Sequence, residues 1–118
     1  MITMTETEEK FAGFLWDRVP FSSSELVRLG EEKMEWKKST TYTMLKRLEQ
    51  KGIFQNKGGT VQAMMEKDDY YASQSRQFVR DTFGGSLPRF LTAFTRKEKL
   101  SKEEIDELRQ LIENCEEE

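Results

Sequence analysis

Two adjacent glycines, Gly58-Gly59, stand between the short β-prone runs 53–57 and 60–65. Both central positions of a two-residue hairpin turn favour positive φ, which glycine adopts without steric cost. The pair predicts a small β-hairpin, and what precedes it is helical. Residues 6–17 group Phe11, Phe14, Leu15 and Trp16 at helical spacing, and Pro20 stops that helix. Ser22 and Glu25 have the spacing of a capping box, with Phe21 placed to staple onto the helix that follows through Leu26, Val27, Leu29 and Met34. A third helix is expected over 38–51, ended by Gly52. Three helices followed by a hairpin is the order of a winged helix-turn-helix.

The third helix divides into two faces. Thr41, Met44, Leu45 and Leu48 share one side; Ser39, Thr40, Tyr42, Thr43, Lys46, Arg47 and Gln50 fall elsewhere. Hydroxyls, an aromatic and cations on one face suit hydrogen bonds to base edges and phosphates, although an ordinary solvated face has a similar composition. The distribution of charge separates the two readings better than its sum, which is −3. From Lys33 to Lys67 the cations Lys33, Lys37, Lys38, Lys46, Arg47, Lys51, Lys57 and Lys67 face only Glu35, Glu49 and Glu66. From Lys97 onward the balance reverses, ending in Glu116, Glu117 and Glu118. A basic middle and an acidic end describe a binding face and a separate segment. Lys57, at the tip of the hairpin, is placed to meet a phosphate backbone or a minor groove, although a plain surface turn has a similar sequence.

Beyond Asp68-Asp69 the helical pattern resumes. Tyr71, Ser75, Phe78, Val79, Thr82 and Phe83 form a stripe broken by Gly84-Gly85. Leu87, Phe90, Leu91 and Phe94 mark a shorter helix with Pro88 in its first turn. Ser101 and Glu104 form a second capping box before Ile105, Leu108, Leu111 and Ile112. So much apolar surface on three short helices needs a partner, and a symmetric dimer would supply it. The chain is therefore expected to be mostly α with a small β-hairpin: a winged helix over 1–67 and a helical dimerisation segment over 68–118. Tyr71, Phe78, Phe83, Phe90, Leu91, Phe94, Ile105, Leu108 and Leu111 are the expected dimer contacts.

Several functions lack their residues. Histidine is absent, which removes the commonest general base, the usual nucleophile–base pairs and most zinc sites. No glycine-rich phosphate loop appears, so no enzyme activity, cofactor or metal is expected. Cys115 is the single cysteine, so no internal disulfide forms. Residues 1–10 are polar and acidic, unlike a secretory leader, and no apolar run has the length of a membrane span, so a cytoplasmic protein is expected. Two rival functions stay open: a regulator gated by a small ligand held near Trp36, Tyr70 or Tyr71, and a winged-helix protein-interaction module that does not touch DNA. The cations of the third helix weigh against the second.

The run TTYTMLKRLEQKG from Thr40 to Gly52, with Trp16, the SSSEL segment and the tail FLTAFTRKEKLSKEEIDELRQLIEN, resembles the penicillinase-repressor family, over about residues 8–114. The resemblance implies a homodimeric repressor that binds a pseudo-palindromic operator in double-stranded DNA, with antibiotic-resistance genes among the targets. It places the third helix in the major groove, the hairpin as wing and the last three helices as the dimer. By position, Ser39, Thr40, Tyr42 and Thr43 are expected at bases and nearby backbone, Lys46 and Arg47 at phosphates, and Lys57 in the wing, with Lys38 also among the DNA-binding residues. Tyr42 stands where some members carry arginine, which reads guanine bidentately as tyrosine cannot. Members that control β-lactam resistance are cut at an Asn-Phe bond, with a membrane metalloprotease sensor as partner. Ala93-Phe94 is the corresponding candidate cleavage site here, without the asparagine, and Phe94 fits core packing better. The copper-responsive branch has a cysteine-rich end that Cys115 alone does not reproduce.

Overall fold

The computed structural model describes residues 3–117, so Met1, Ile2 and the last residue of the acidic end, Glu118, lie outside it. The elements run α1 (Glu6–Trp16), β1 (Phe21–Ser22), α2 (Ser23–Met34), α3 (Lys38–Gln50), β2 (Phe54–Lys57), β3 (Thr60–Ala63), α4 (Lys67–Phe83), α5 (Leu87–Phe94) and α6 (Lys102–Glu113). The expected fold class, three helices and a hairpin followed by further helices, is what the chain adopts. It separates into two compact units, Met1–Ser75 and Arg76–Glu118.

The first unit is built on three helices and a three-stranded antiparallel sheet in the order β1-β3-β2. Thr5 starts α1 with a full capping box: its hydroxyl accepts from the Glu8 backbone and the Glu8 carboxylate accepts from the Thr5 backbone. Phe11, Ala12 and Leu15 of α1, Leu26 and Leu29 of α2, and Thr41, Met44, Leu45 and Leu48 of α3 are all buried, each set at helical spacing. Ile53, Phe54 and Val61 close the core from the sheet, and Tyr70, in the first turns of α4, is buried with them. Trp16 lies against Phe54, Tyr70 and Tyr71 and donates its indole N–H to the Met65 carbonyl at 3.0 Å.

Gly58 and Gly59 both have positive φ, as a two-residue turn requires, and the register Lys57↔Thr60 follows from it. Two expectations need correction. The sheet has a third strand, because Phe21 and Ser22 pair with Val61 and Thr60. And Ser22 makes no capping box: its side chain leaves the α2 N-terminus uncapped and shares a hydrogen bond with the Ser24 hydroxyl at 2.9 Å. The Ser22 backbone has the extended conformation of an N-cap, so the difference lies in its side chain, which turns to Ser24; the following N–H, of Ser23, donates to the Gly59 carbonyl at 2.8 Å. The hairpin thus occupies the start of α2.

Helices α2 and α3 cross at Gly30 and Thr41. A Cβ on Gly30 would lie 2.1 Å from Thr41 Oγ1, so only glycine permits this approach. The turn between them passes through Glu35 in the left-handed region, and the Trp36 N–H returns to the Gly30 carbonyl at 3.1 Å.

The second unit is different in kind. Phe78, Phe83, Phe90 and Phe94 form a chain of ring contacts with centroids 5.5–6.1 Å apart. Yet no residue of α5 or α6 is buried. Phe78 is 51% exposed, Phe94 48% and Leu111 61%. The expected Ser101–Glu104 capping box is present, and Pro88 lies in the first turn of α5. Among the described residues no helix is long and apolar enough to cross a membrane.

Candidate nucleic-acid interface

The inward face of α3 is fixed by the core, and that fixes what its outer face offers. Lys38, Ser39, Thr40, Thr43, Lys46 and Arg47 are all exposed. Tyr42 is half-buried: its ring packs on the core cluster and lines a cleft of about 350 Å³ with Ser23, Ser24, Val27 and Lys38. Only part of its side chain is therefore free for a ligand. The Thr43 hydroxyl donates to the Ser39 carbonyl at 2.9 Å, which leaves its oxygen free as an acceptor. The Arg47 guanidinium rests on Met44 Sδ at 3.7 Å, lying along the helix rather than extending freely.

Lys37 is the N-cap of α3 and its side chain does not cap the helix. The first-turn N–H groups carry the positive end of the helix dipole and, beside Lys37 and Lys38, form an electropositive end suited to phosphate. Lys57 is exposed at the end of β2, next to the glycine turn.

Not every cation of the basic stretch faces outward. Lys51 Nζ lies 2.6 Å from Glu8 Oε1 and donates to the Thr3 carbonyl at 2.8 Å. Glu8 is 1% exposed. Burial pushes its carboxyl up, but hydrogen bonds from Lys51 and Thr5 outweigh that, and the net shift is downward. Lys51 therefore holds a buried charge, joining the N-terminal strap to the end of α3, and is not part of the outward face. Lys33 lies over the Phe14 ring, 5.8 Å from its centroid.

Glu49 was not legible as a functional position. Its carboxylate accepts from the Asn56 backbone N–H at 3.2 Å, tying α3 to β2. The one available signal is an acid in the last turn of a helix, where the dipole disfavours it.

Of the expected dimer contacts, Tyr71 lies in the first unit, 42% exposed, with its ring 5.3 Å from Tyr70 and 6.4 Å from Trp16. The others lie in the second unit. There, Phe90, Leu91, Phe94, Leu100, Leu108 and Leu111 line an open apolar groove of about 470 Å³ rimmed by Glu104 and Glu107. Ile105 is 37% exposed. Ala93 and Phe94 are both exposed and form the last two positions of α5. Tyr70 is buried, so it is not available to line a ligand pocket. Among the described residues no group of three or more histidine, cysteine, aspartate or glutamate side chains is placed to hold a metal.

Three helices, a three-stranded sheet ending in a glycine-turned wing, and further helices after it in the chain define a winged-helix protein of the transcription-regulator type. Comparison with known proteins narrows the class. The family model described as penicillinase repressor matches residues 4–114. The chain is 25% identical over 113 residues to the methicillin resistance regulatory protein MecI of Staphylococcus aureus strain Mu50, covering 92% of each. It is 24% identical over 113 residues to the MecI protein of Mammaliicoccus sciuri, again covering 92% of each. It is 27% identical over 114 residues to the penicillinase repressor of Bacillus licheniformis, covering 93% of this chain and 89% of that one. The chain belongs to the penicillinase repressor family. It is a transcriptional repressor of that family and not an enzyme.

Proposed function

We propose that the chain is a cytoplasmic homodimer that binds a pseudo-palindromic operator in double-stranded DNA and represses by blocking a promoter. The observation that carries this reading is the division of α3: Thr41, Met44, Leu45 and Leu48 buried, with Lys38, Ser39, Thr40, Thr43, Lys46 and Arg47 exposed on one positioned helix. In the proposal α3 enters the major groove. Ser39, Thr40, Tyr42 and Thr43 meet bases and adjacent backbone, Lys38, Lys46 and Arg47 meet phosphates, and Lys57 extends the contact through the wing.

The dimer follows from the second unit. Helices that bury none of their residues, with Phe78, Phe94 and Leu111 about half exposed or more, form half of a core. A second copy completes it through Phe78, Phe83, Phe90, Leu91, Phe94, Ile105, Leu108 and Leu111, and Tyr71, in the first unit, is proposed as a further dimer contact. Two-fold symmetry then sets two readers on half-sites about one helical turn, ~34 Å, apart. Phe94 serves packing in this arrangement. The Ala93–Phe94 bond lies in the last turn of α5, so cleavage by a membrane metalloprotease sensor would require that turn to open first. Antibiotic-resistance genes are the proposed targets, as the names of its relatives suggest.

A gel-shift titration of the full chain on a duplex of its own promoter tests the reading. Each phosphate neutralised steepens the log–log salt dependence by about 0.9. A steep fall in affinity with salt is expected despite the acidic composition; a flat dependence, or no shift at low salt, overturns it.

A further inference from the structure

We propose that Glu49 is a positioning residue for DNA binding: its carboxylate fixes the wing relative to the reading helix, so that Lys57 reaches the duplex together with Arg47. The inference rests on the DNA-binding reading above and assigns a role to a residue that does not itself face DNA as a ligand for it.

β2 is an edge strand of the sheet, which has the order β1-β3-β2. With Lys57↔Thr60 closing a two-residue turn, the alternation of an antiparallel ladder makes Asn56↔Val61 the non-hydrogen-bonded pair. The Asn56 N–H therefore points away from β3, and Glu49 Oε2 accepts it at 3.2 Å. Asn56 precedes Lys57, the wing cation, and Glu49 lies two positions after Arg47 on α3. The bond is thus a direct brace between the two cation-bearing elements. On its other side the hairpin is held by Ser23, whose N–H donates to the Gly59 carbonyl at 2.8 Å.

Two physical arguments say that this acid is present for its reach and not for its charge. It lies in the last turn of α3, where the negative end of the helix dipole disfavours it. It also lies close to a surface proposed to meet a polyanion, where a negative charge weakens association. Charge alone predicts that removing it strengthens DNA binding. The brace predicts that losing its reach weakens binding.

Two substitutions in the full chain separate these. Glu49→Asp keeps the charge and shortens the arm by one methylene. Glu49→Gln removes the charge and keeps a carbonyl oxygen at the same reach. Affinity for a duplex of the chain's own promoter is measured across salt, with Lys57→Ala alone and combined with Glu49→Asp. The brace predicts that Glu49→Asp weakens binding and lowers the salt slope by about 0.9, the loss of one phosphate contact. Lys57→Ala does the same, and the double substitution loses no more than either. Glu49→Gln retains the full slope. If Glu49→Asp binds like the parent, or if the two losses add, the brace is wrong. If Lys57→Ala itself leaves the slope unchanged, the wing contact fails and the proposal with it. If the parent shows no salt slope, the DNA-binding reading is what has failed. Amide exchange gives a second reading that needs no DNA: the Asn56 N–H is protected in the parent and Glu49→Gln, and exchanges faster in Glu49→Asp. Equal protection in all three overturns the brace.

Discussion

Replacing Gly30 by alanine sets two effects against each other, and their magnitudes decide the sign. Gly30 is inside α2, not at its end, and alanine is favoured over glycine in a helix interior by about 1 kcal/mol. Propensity alone predicts stabilisation. But the added Cβ would lie 2.1 Å from Thr41 Oγ1 and 2.8 Å from Thr41 Cγ2. Relief requires either that α2 and α3 separate or that Thr41 leaves its rotamer. Overpacking of this kind costs about 1–3 kcal/mol. Turning Thr41 also breaks its hydrogen bond to the Lys37 carbonyl, 3.1 Å long, which contributes about 1 kcal/mol more. The net expectation is destabilisation of roughly 1–3 kcal/mol. In a unit of this size that lowers Tm by on the order of 10 °C. Circular dichroism melts of Gly30→Ala, Thr41→Ala and the double variant test it as a cycle. Thr41→Ala removes both atoms that clash, so the double variant should regain about 1 kcal/mol or more beyond additivity. A rise in Tm for Gly30→Ala, or strict additivity across the cycle, would refute the close approach.

Two further predictions concern the ends of the molecule. Glu8→Gln removes the charge from a buried, doubly hydrogen-bonded carboxylate and should cost about 1.5–3 kcal/mol at neutral pH. Because the folded carboxyl is shifted down, its contribution is present above the unfolded value of about 4.3 and lost as pH falls through the folded value. Urea titrations at neutral and strongly acidic pH should therefore show the gap between Glu8→Gln and the parent closing in acid; a gap independent of pH contradicts it. Leu108→Ala opens the apolar groove of the second unit and, with a second copy seated there, costs on the order of 2–5 kcal/mol per buried leucine. Sedimentation should show it shifting to monomer at concentrations where the parent is dimeric, while an unchanged mass would place the dimer elsewhere.

Much of the fold is legible in the sequence because it rests on local pattern. The buried face of α3, the Gly58-Gly59 turn and the Ser101–Glu104 box depend on spacing within a few residues. What is not legible depends on contacts far apart in the chain. β1 is two residues long, too short for any periodicity, and exists because β3 pairs with it. The box that the spacing of Ser22 and Glu25 suggests fails because the Ser22 hydroxyl turns to that of Ser24. Lys51 reads as one more cation of the basic stretch until Glu8, 43 positions away, is brought beneath it. Tyr70 and Tyr71 are adjacent and identical residues, yet one is buried, its hydroxyl accepting from the Met4 N–H at 3.2 Å, while the other is 42% exposed. The outward residues of α3 were legible as a face. Arg47 lying along Met44, and the ring of Tyr42 packed on the core, were not.

The central claim is that the exposed face of α3 reads DNA within a symmetric dimer. Selection of bound duplexes from a random pool by the full chain, repeated with Arg47→Ala and Thr43→Ala, tests it most directly. The parent should enrich two inverted half-sites about one helical turn apart. Arg47→Ala should weaken binding to all sequences while keeping that consensus, because phosphate contacts carry little sequence information, and Thr43→Ala should change it. Recovery of no consensus, of a single half-site, or of a consensus altered by Arg47→Ala but not by Thr43→Ala would contradict the account.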